Sequence, residues 1–127
     1  MTYQKINKED ILFFKNVIGD ENVFLSSDIL FDYSHDETED LSFIPEVVLK
    51  PFNAVQISKI MVYCNSKLIP VTPCGARTGL SGGSLPVEKG VALSIEKLNE
   101  IIEIDESNLQ ATVEPGVINQ VFQEAVK

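Results

Sequence analysis

Apolar positions along the chain follow two periods, and the change from one to the other marks the predicted elements. Ile11, Phe14 and Ile18 repeat at helical spacing behind Asn7, with Glu9 and Asp10 in the first turn and Gly19 as a stop. That pattern predicts a helix over residues 8–18. The clearest stripe is Ile57, Ile60, Met61, Cys64 and Leu68, at i, i+3, i+4, i+7 and i+11. Asn53-Ala-Val-Gln56 opens it in the form of a capping box, and Pro51 keeps the preceding apolar run Val47-Val48-Leu49 separate as a short buried strand. Residues 69–72 read as a second strand. Strand, helix and strand with short joints make a βαβ unit, whose strands should be parallel and whose crossover should be right-handed.

The rest of the chain alternates differently. Val91 to Ser94 is a third strand, entered from the turn Glu88-Lys89-Gly90. Leu109, Ala111 and Val113 alternate with Gln110, Thr112 and Glu114, so residues 99–104 and 109–114 form a hairpin around Asp105-Glu-Ser-Asn108. Pro115-Gly116 breaks the second arm. Val117 to Lys127 begins a helix with Val121, Phe122 and Ala125 on one face and no C-terminal signal, as expected of part of a longer protein. Residues 20–45 show neither period and read as an irregular, acidic connection. The fold class is α+β: a βαβ start and a small mixed sheet flanked by helices. The division is residues 1–45, an N-terminal helix with an acidic segment, and residues 46–127, the first part of a larger domain.

Charge narrows the partners. Ten Lys and Arg stand against 19 Asp and Glu, a formal net charge of −9, so an acidic surface would repel a phosphate backbone and nucleic acid is not an expected partner. The N-terminus MTYQKINKED has no apolar core like that of a signal peptide, and no apolar run approaches the roughly 20 residues of a membrane span. A cytoplasmic location follows as the expectation. Two cysteines and one histidine are too few for a structural metal site. Cys64 and Cys74 read as free thiols, the first packed in the helix stripe.

The stretch that calls for chemistry is Pro-Val-Thr-Pro-Cys-Gly-Ala-Arg-Thr-Gly-Leu-Ser-Gly-Gly-Ser, residues 70–84, between two apolar strands. Gly75, Gly79, Gly82 and Gly83 leave the backbone bare, and several N–H groups in such a loop can converge on an anion. Thr78 and Ser81 add hydroxyls and Arg77 a guanidinium able to grip a phosphate. A Walker loop is excluded because no lysine lies between Lys67 and Lys89. The dinucleotide fingerprint G-x-G-x-x-G is excluded because position 77 is arginine and Leu85-Pro86-Val87, not a helix, follows. Composition alone also allows a flexible connection that binds nothing.

The order of motifs goes further. P-x-G-A-x-T-G-L-S-G-G-x-L-P, then G-V-x-L-S, an Asn-x-Ile-x-x-Ile-Asp segment and V-E-P-G-V closely resemble the FAD-binding domain of the flavin-linked 2-hydroxyacid dehydrogenases. That group includes the glycolate oxidase D subunit and the FAD-linked D-lactate dehydrogenases. It lies within the larger vanillyl-alcohol oxidase family with its PCMH-type flavin domain. The resemblance runs over about residues 30–127 and takes in Tyr33-Ser34-x-Asp36 and Val48-x-x-Pro51. It implies FAD as cofactor, with its diphosphate wrapped by Pro73, Gly75, Ala76, Arg77, Thr78, Gly79, Gly82 and Gly83. Cys74 and Ser81 lie alongside, and Pro115 and Gly116 next to the flavin. Cys74 stands where relatives often carry a longer polar residue. Arg77 lies close to where some relatives attach flavin through a histidine, so FAD is expected to be non-covalent.

The resemblance further implies that substrate oxidation, a 2-hydroxy acid to its 2-oxo acid, uses residues beyond Lys127. No catalytic residue is expected within this chain, which alone should be inactive, and the electron acceptor is not identified. His35 reads as an exposed imidazole, and Glu103, Asp105 and Glu106 as surface charge on a turn. Two other readings stay open. One is an FAD-dependent reductase of cell-wall precursors, which shares the flavin-domain architecture; the other is an anion-binding or interaction module without catalysis.

Overall fold

The computed structural model describes residues 3–35, 42–75, 86 and 88–127. Helix α1, Lys8–Ile18, starts where the sequence places it: Asn7 Oδ1 accepts from the Asp10 N–H at 3.0 Å, and Asp10 Oδ2 accepts from the Asn7 N–H at 2.9 Å. Gly19 ends it with φ +86°, where only glycine is at ease.

Part of the stretch expected to be irregular is regular. After a 3₁₀ turn at Asp20–Asn22 come β1, Val23–Phe24, and α2, Ser27–Asp32. A two-residue strand and a six-residue helix are too short to impose a period on the sequence. Strand β1 is held by pairing: Val23 and Phe24 lie antiparallel to Leu49 and Val48 of β2, Val47–Leu49.

Helix α3, Ala54–Lys67, carries the central stripe. Its cap differs by one residue from the expected box: Asn53 Oδ1 accepts from the Gln56 N–H at 2.8 Å, but Gln56 Oε1 takes the Phe52 N–H at 2.9 Å. Ile60 and Cys64 are buried and Ile57 is packed against the core, whereas Met61 and Leu68 are exposed. The stripe is therefore narrower than the spacing suggested. Leu68 has left the helix altogether: it is the left-handed C-cap, with φ 57°.

Strands β3, Val71–Cys74, and β4, Val91–Ser94, complete the main sheet in the order β1-β2-β4-β3. Both β2 and β3 run parallel to β4, so the strands joined through α3 are parallel as expected, with β4 between them. Pro73 is tolerated because β3 is an edge strand. Phe14, Ile18, Val47, Leu49, Ile60 and Val91 form the core on the face covered by α1 and α3. Tyr33, Val48, Cys74 and Ala92 pack on the other face. Glu46 ties the unit together, one carboxylate oxygen accepting from the Ile6 N–H and the other from the Gly90 N–H, each at 3.1 Å.

The hairpin of β5, Ile101–Asp105, and β6, Gln110–Val113, is a separate two-stranded sheet with a bulge between Ile101 and Glu103. Its turn is built by Asp105, whose carboxylate accepts from the Asn108 N–H at 3.2 Å and from Asn108 Nδ2 at 2.8 Å. Those hydrogen bonds hold the Asp105 carboxyl below its ordinary pKa. Helix α4, Asn119–Ala125, follows, with Val121 exposed and Phe122 half-buried.

Candidate functional site

Three parallel strands end on one edge of the sheet, and each hands over there to a residue of interest. Lys50 follows β2, Gly75 follows β3, and Ile95-Glu96 follow β4. In open sheets of this kind ligands lie outside the carboxyl ends of the parallel strands. A cavity of about 600 Å³ opens at this edge, bounded by Tyr33, Gly75, the turn containing Ile95, Glu96 and Asn99, and Pro115-Gly116. A larger and shallower hollow of about 820 Å³ lies against α1, but it contains none of the predicted site residues.

The two glycines of the cavity are bare for opposite reasons. Among the described residues, a Cβ at Gly75 would touch only Ile95 Cδ1, at 3.9 Å, so none of them crowds its backbone. A Cβ at Gly116 would collide with the Ile95 carbonyl and lie 2.7 Å from that of Leu98. Its N–H donates to the Leu98 carbonyl at 2.7 Å. Gly116 is glycine because two backbone segments meet there, which fixes the far wall of the cavity.

Charge at the rim is arranged in a cluster. The Lys50 ammonium pairs with the Glu96 carboxylate, and the Tyr33 hydroxyl donates to Glu96 Oε1 at 3.4 Å. Lys50 Nζ also sits 4.9 Å from the Phe24 ring centroid. Burial works to lower the Lys50 pKa, but the Glu96 and Tyr33 partners outweigh it and hold it above the ordinary lysine value. Glu96 therefore faces the cavity as a compensated charge rather than a bare one. This cluster was not legible in the sequence, where Lys50 and Glu96 lie far apart.

The sequence-predicted residues separate accordingly. Gly75, Pro115 and Gly116, distant in the chain, line one cavity. Pro73 is exposed on β3, and Cys74 is buried, its Sγ donating to the Thr72 carbonyl at 3.5 Å. Ala76, Arg77, Thr78, Gly79, Ser81, Gly82 and Gly83 lie outside the described residues. His35 is exposed, with Nδ1 3.3 Å from Ser34 Oγ. Among the described residues no group of His, Cys, Asp and Glu is placed to hold a metal ion, and no helix is long and apolar enough to cross a membrane.

Comparison with known proteins places the chain in a family. The family model described as "FAD binding domain" matches residues 45–127. The chain belongs to that FAD-binding family. It is 40% identical over 111 residues to glycolate oxidase subunit GlcD of Bacillus subtilis (strain 168), covering 87% of this chain and 24% of that protein. It is 35% identical over 127 residues to D-lactate dehydrogenase of Anaerostipes hadrus, covering 98% and 26%. The chain thus spans about a quarter of the length of these relatives. Among solved structures, p-cresol methylhydroxylase with substrate bound superposes with a TM-score of 0.80 at 27% identity, over 91% of this chain and 23% of that one. The fold is the PCMH-type α+β flavin-binding fold of FAD-linked oxidoreductases, and FAD is its cofactor. The residues present fit that group: an open backbone at Gly75, a fixed wall at Gly116 and a neutralised carboxylate between them suit a dinucleotide carrying a diphosphate.

Proposed function

We propose that residues 46–127 are the diphosphate-holding first part of the FAD domain of an enzyme that oxidises a 2-hydroxy acid, of glycolate or D-lactate type, to the 2-oxo acid. Residues 1–45, the N-terminal helix and acidic segment, precede it and add α1 and β1 to the same core and sheet. The supporting observation is the convergence of Gly75 with Pro115-Gly116 on one cavity at the carboxyl ends of the parallel strands. Two relatives named for the oxidation of 2-hydroxy acids support the substrate class.

When bound, FAD supplies the two-electron acceptor: the hydride leaves the α-carbon of the substrate and the hydroxyl proton leaves to a base. The chain's own part is binding and orientation. The backbone N–H groups of Gly75, Ala76, Arg77, Thr78, Gly79, Gly82 and Gly83 would hold the diphosphate, with Pro73, Cys74 and Ser81 alongside. Pro115-Gly116 closes the opposite wall. Lys50 keeps Glu96 from repelling the anion. FAD would be held without a covalent bond, since Arg77 cannot form the bond that some relatives make through a histidine near this position. The acid–base group, which must touch substrate, is not among these residues, and the enzyme works in the cytoplasm.

The test is to express the protein to its natural stop codon and measure released flavin, then add glycolate or D-lactate without oxygen. Stoichiometric FAD released on denaturation and bleaching of its visible absorbance by one of these acids are expected. Gly79→Val, which blocks close approach of the backbone, should remove the flavin. A colourless protein that shows no thermal shift with FAD would sink the proposal.

A further inference from the structure

We propose that Asn99 is a cofactor-binding residue, donating a carboxamide N–H to an oxygen of the diphosphate–ribityl stretch of FAD; this rests on the assignment of the cavity made above. Asn99 heads the Asn-x-Ile-x-x-Ile-Asp segment, and the later members of that segment have local reasons to be there. Ile101 is half-buried, and Asp105 builds the hairpin turn. Asn99 is exposed and lines the cavity, and none of the described residues hydrogen-bonds its carboxamide.

The backbone on both sides of it is nonetheless fixed. The Leu98 carbonyl accepts from the Gly116 N–H at 2.7 Å, and Leu98 is buried. The Glu100 carbonyl accepts from the Glu114 N–H at 2.8 Å, while the Glu100 N–H donates to Glu114 Oε1 at 3.0 Å. Asn99 is thus carried by a rigid double strap that does not use its side chain, so little ordering entropy opposes its bonding to a ligand. Its chemistry also suits the place. Glu96 nearby can only accept hydrogen bonds as a carboxylate and is already paired with Lys50 and Tyr33. A neutral amide supplies donors to the cavity that Gly75 also lines, without adding charge beside an anion.

The experiment uses the protein expressed to its natural stop codon and stripped of flavin, with FAD added as the probe and binding followed by quenching of its fluorescence. Asn99→Ala should weaken FAD binding by about tenfold, the worth of one neutral hydrogen bond. Asn99→Asp, equal in shape but without a donor and charged, should weaken it more. The melting temperature of both flavin-free variants should match that of the parent, because no partner among the described residues is lost. Gly75→Val serves as the control on the cavity itself. If Gly75→Val loses FAD while both Asn99 variants bind normally, this inference fails and the cavity assignment stands. If all three bind normally, both fail. Weaker binding matched by a fall in the melting temperature of the flavin-free variants would assign Asn99 to folding and overturn the inference.

Discussion

The main sheet and the C-terminal hairpin with its helix bury their apolar residues very differently. Val47, Val48, Leu49, Val91 and Ala92 are fully buried between α1 and α3 on one face and Tyr33 on the other. In β5, β6 and α4 no residue is buried: Ile102 is 62% exposed, Leu109 91% and Val121 55%. A two-stranded hairpin is marginal by itself in water, so its order comes from its straps to Leu98 and Glu100 rather than from a core. The difference teaches where the site's rigidity lies. One wall of the cavity, Gly75 and the β4 end, belongs to a closed core; the other, Pro115-Gly116, is pinned by a few backbone hydrogen bonds.

Substitutions should separate the two regions. Phe14→Ala, at a wholly buried ring between α1 and α3, should cost about 3–5 kcal/mol in urea unfolding. A cost below about 1 kcal/mol would mean that the sheet's core is not closed as described. Gly90→Ala comes next. Its φ of +67° is unfavourable to a side chain by about 1–2 kcal/mol, and the new Cβ would run into Pro70 as well. Loss of the turn would also release Glu46 from the Gly90 N–H, so the midpoint of unfolding should fall clearly.

A smaller effect lies at Tyr63, whose hydroxyl donates to the buried Asp10 carboxylate at 2.5 Å. Burial and Asp10 raise its pKa from 10.0 to about 12. The neutral phenol is favoured in the folded state, so the stability it contributes is complete below about pH 10 and is lost as pH rises towards 12. Thermal melts across that range should show the parent losing stability relative to Tyr63→Phe; parallel curves would contradict the pairing. At the bottom of the scale, Leu109→Ser in the hairpin turn should change stability by no more than about 0.5 kcal/mol, since the side chain is almost wholly exposed. A large loss there would show that the hairpin shares the core of the sheet.

How much of this the sequence disclosed depends on how local the cause was. Asn7 and Asn53 announced their helices because a cap is written within four residues. Val47-Val48-Leu49 and Val91–Ser94 announced fully buried strands by continuous apolar runs. Strand β1 and helix α2 escaped because their order comes from pairing with β2 and packing on it. Met61 and Leu68 fitted the helical spacing but not the burial, because the surface covering α3 is narrower than the stripe. At the site, glycine spacing and motif order pointed to Gly75 and Gly116. They could not show that Gly75 is uncrowded by the described residues while Gly116 is closed in by two carbonyls. Lys50 and Glu96 came together at the site only through the fold, while Asn99 was visible as the head of a motif but not as a lining residue of this cavity.

The most direct measurement is amide hydrogen exchange of the protein expressed to its natural stop codon, with and without FAD. Slower exchange in the peptides covering residues 74–83 and 116–117 is the result predicted. No protection in either peptide at saturating FAD would contradict a diphosphate seated between those two walls.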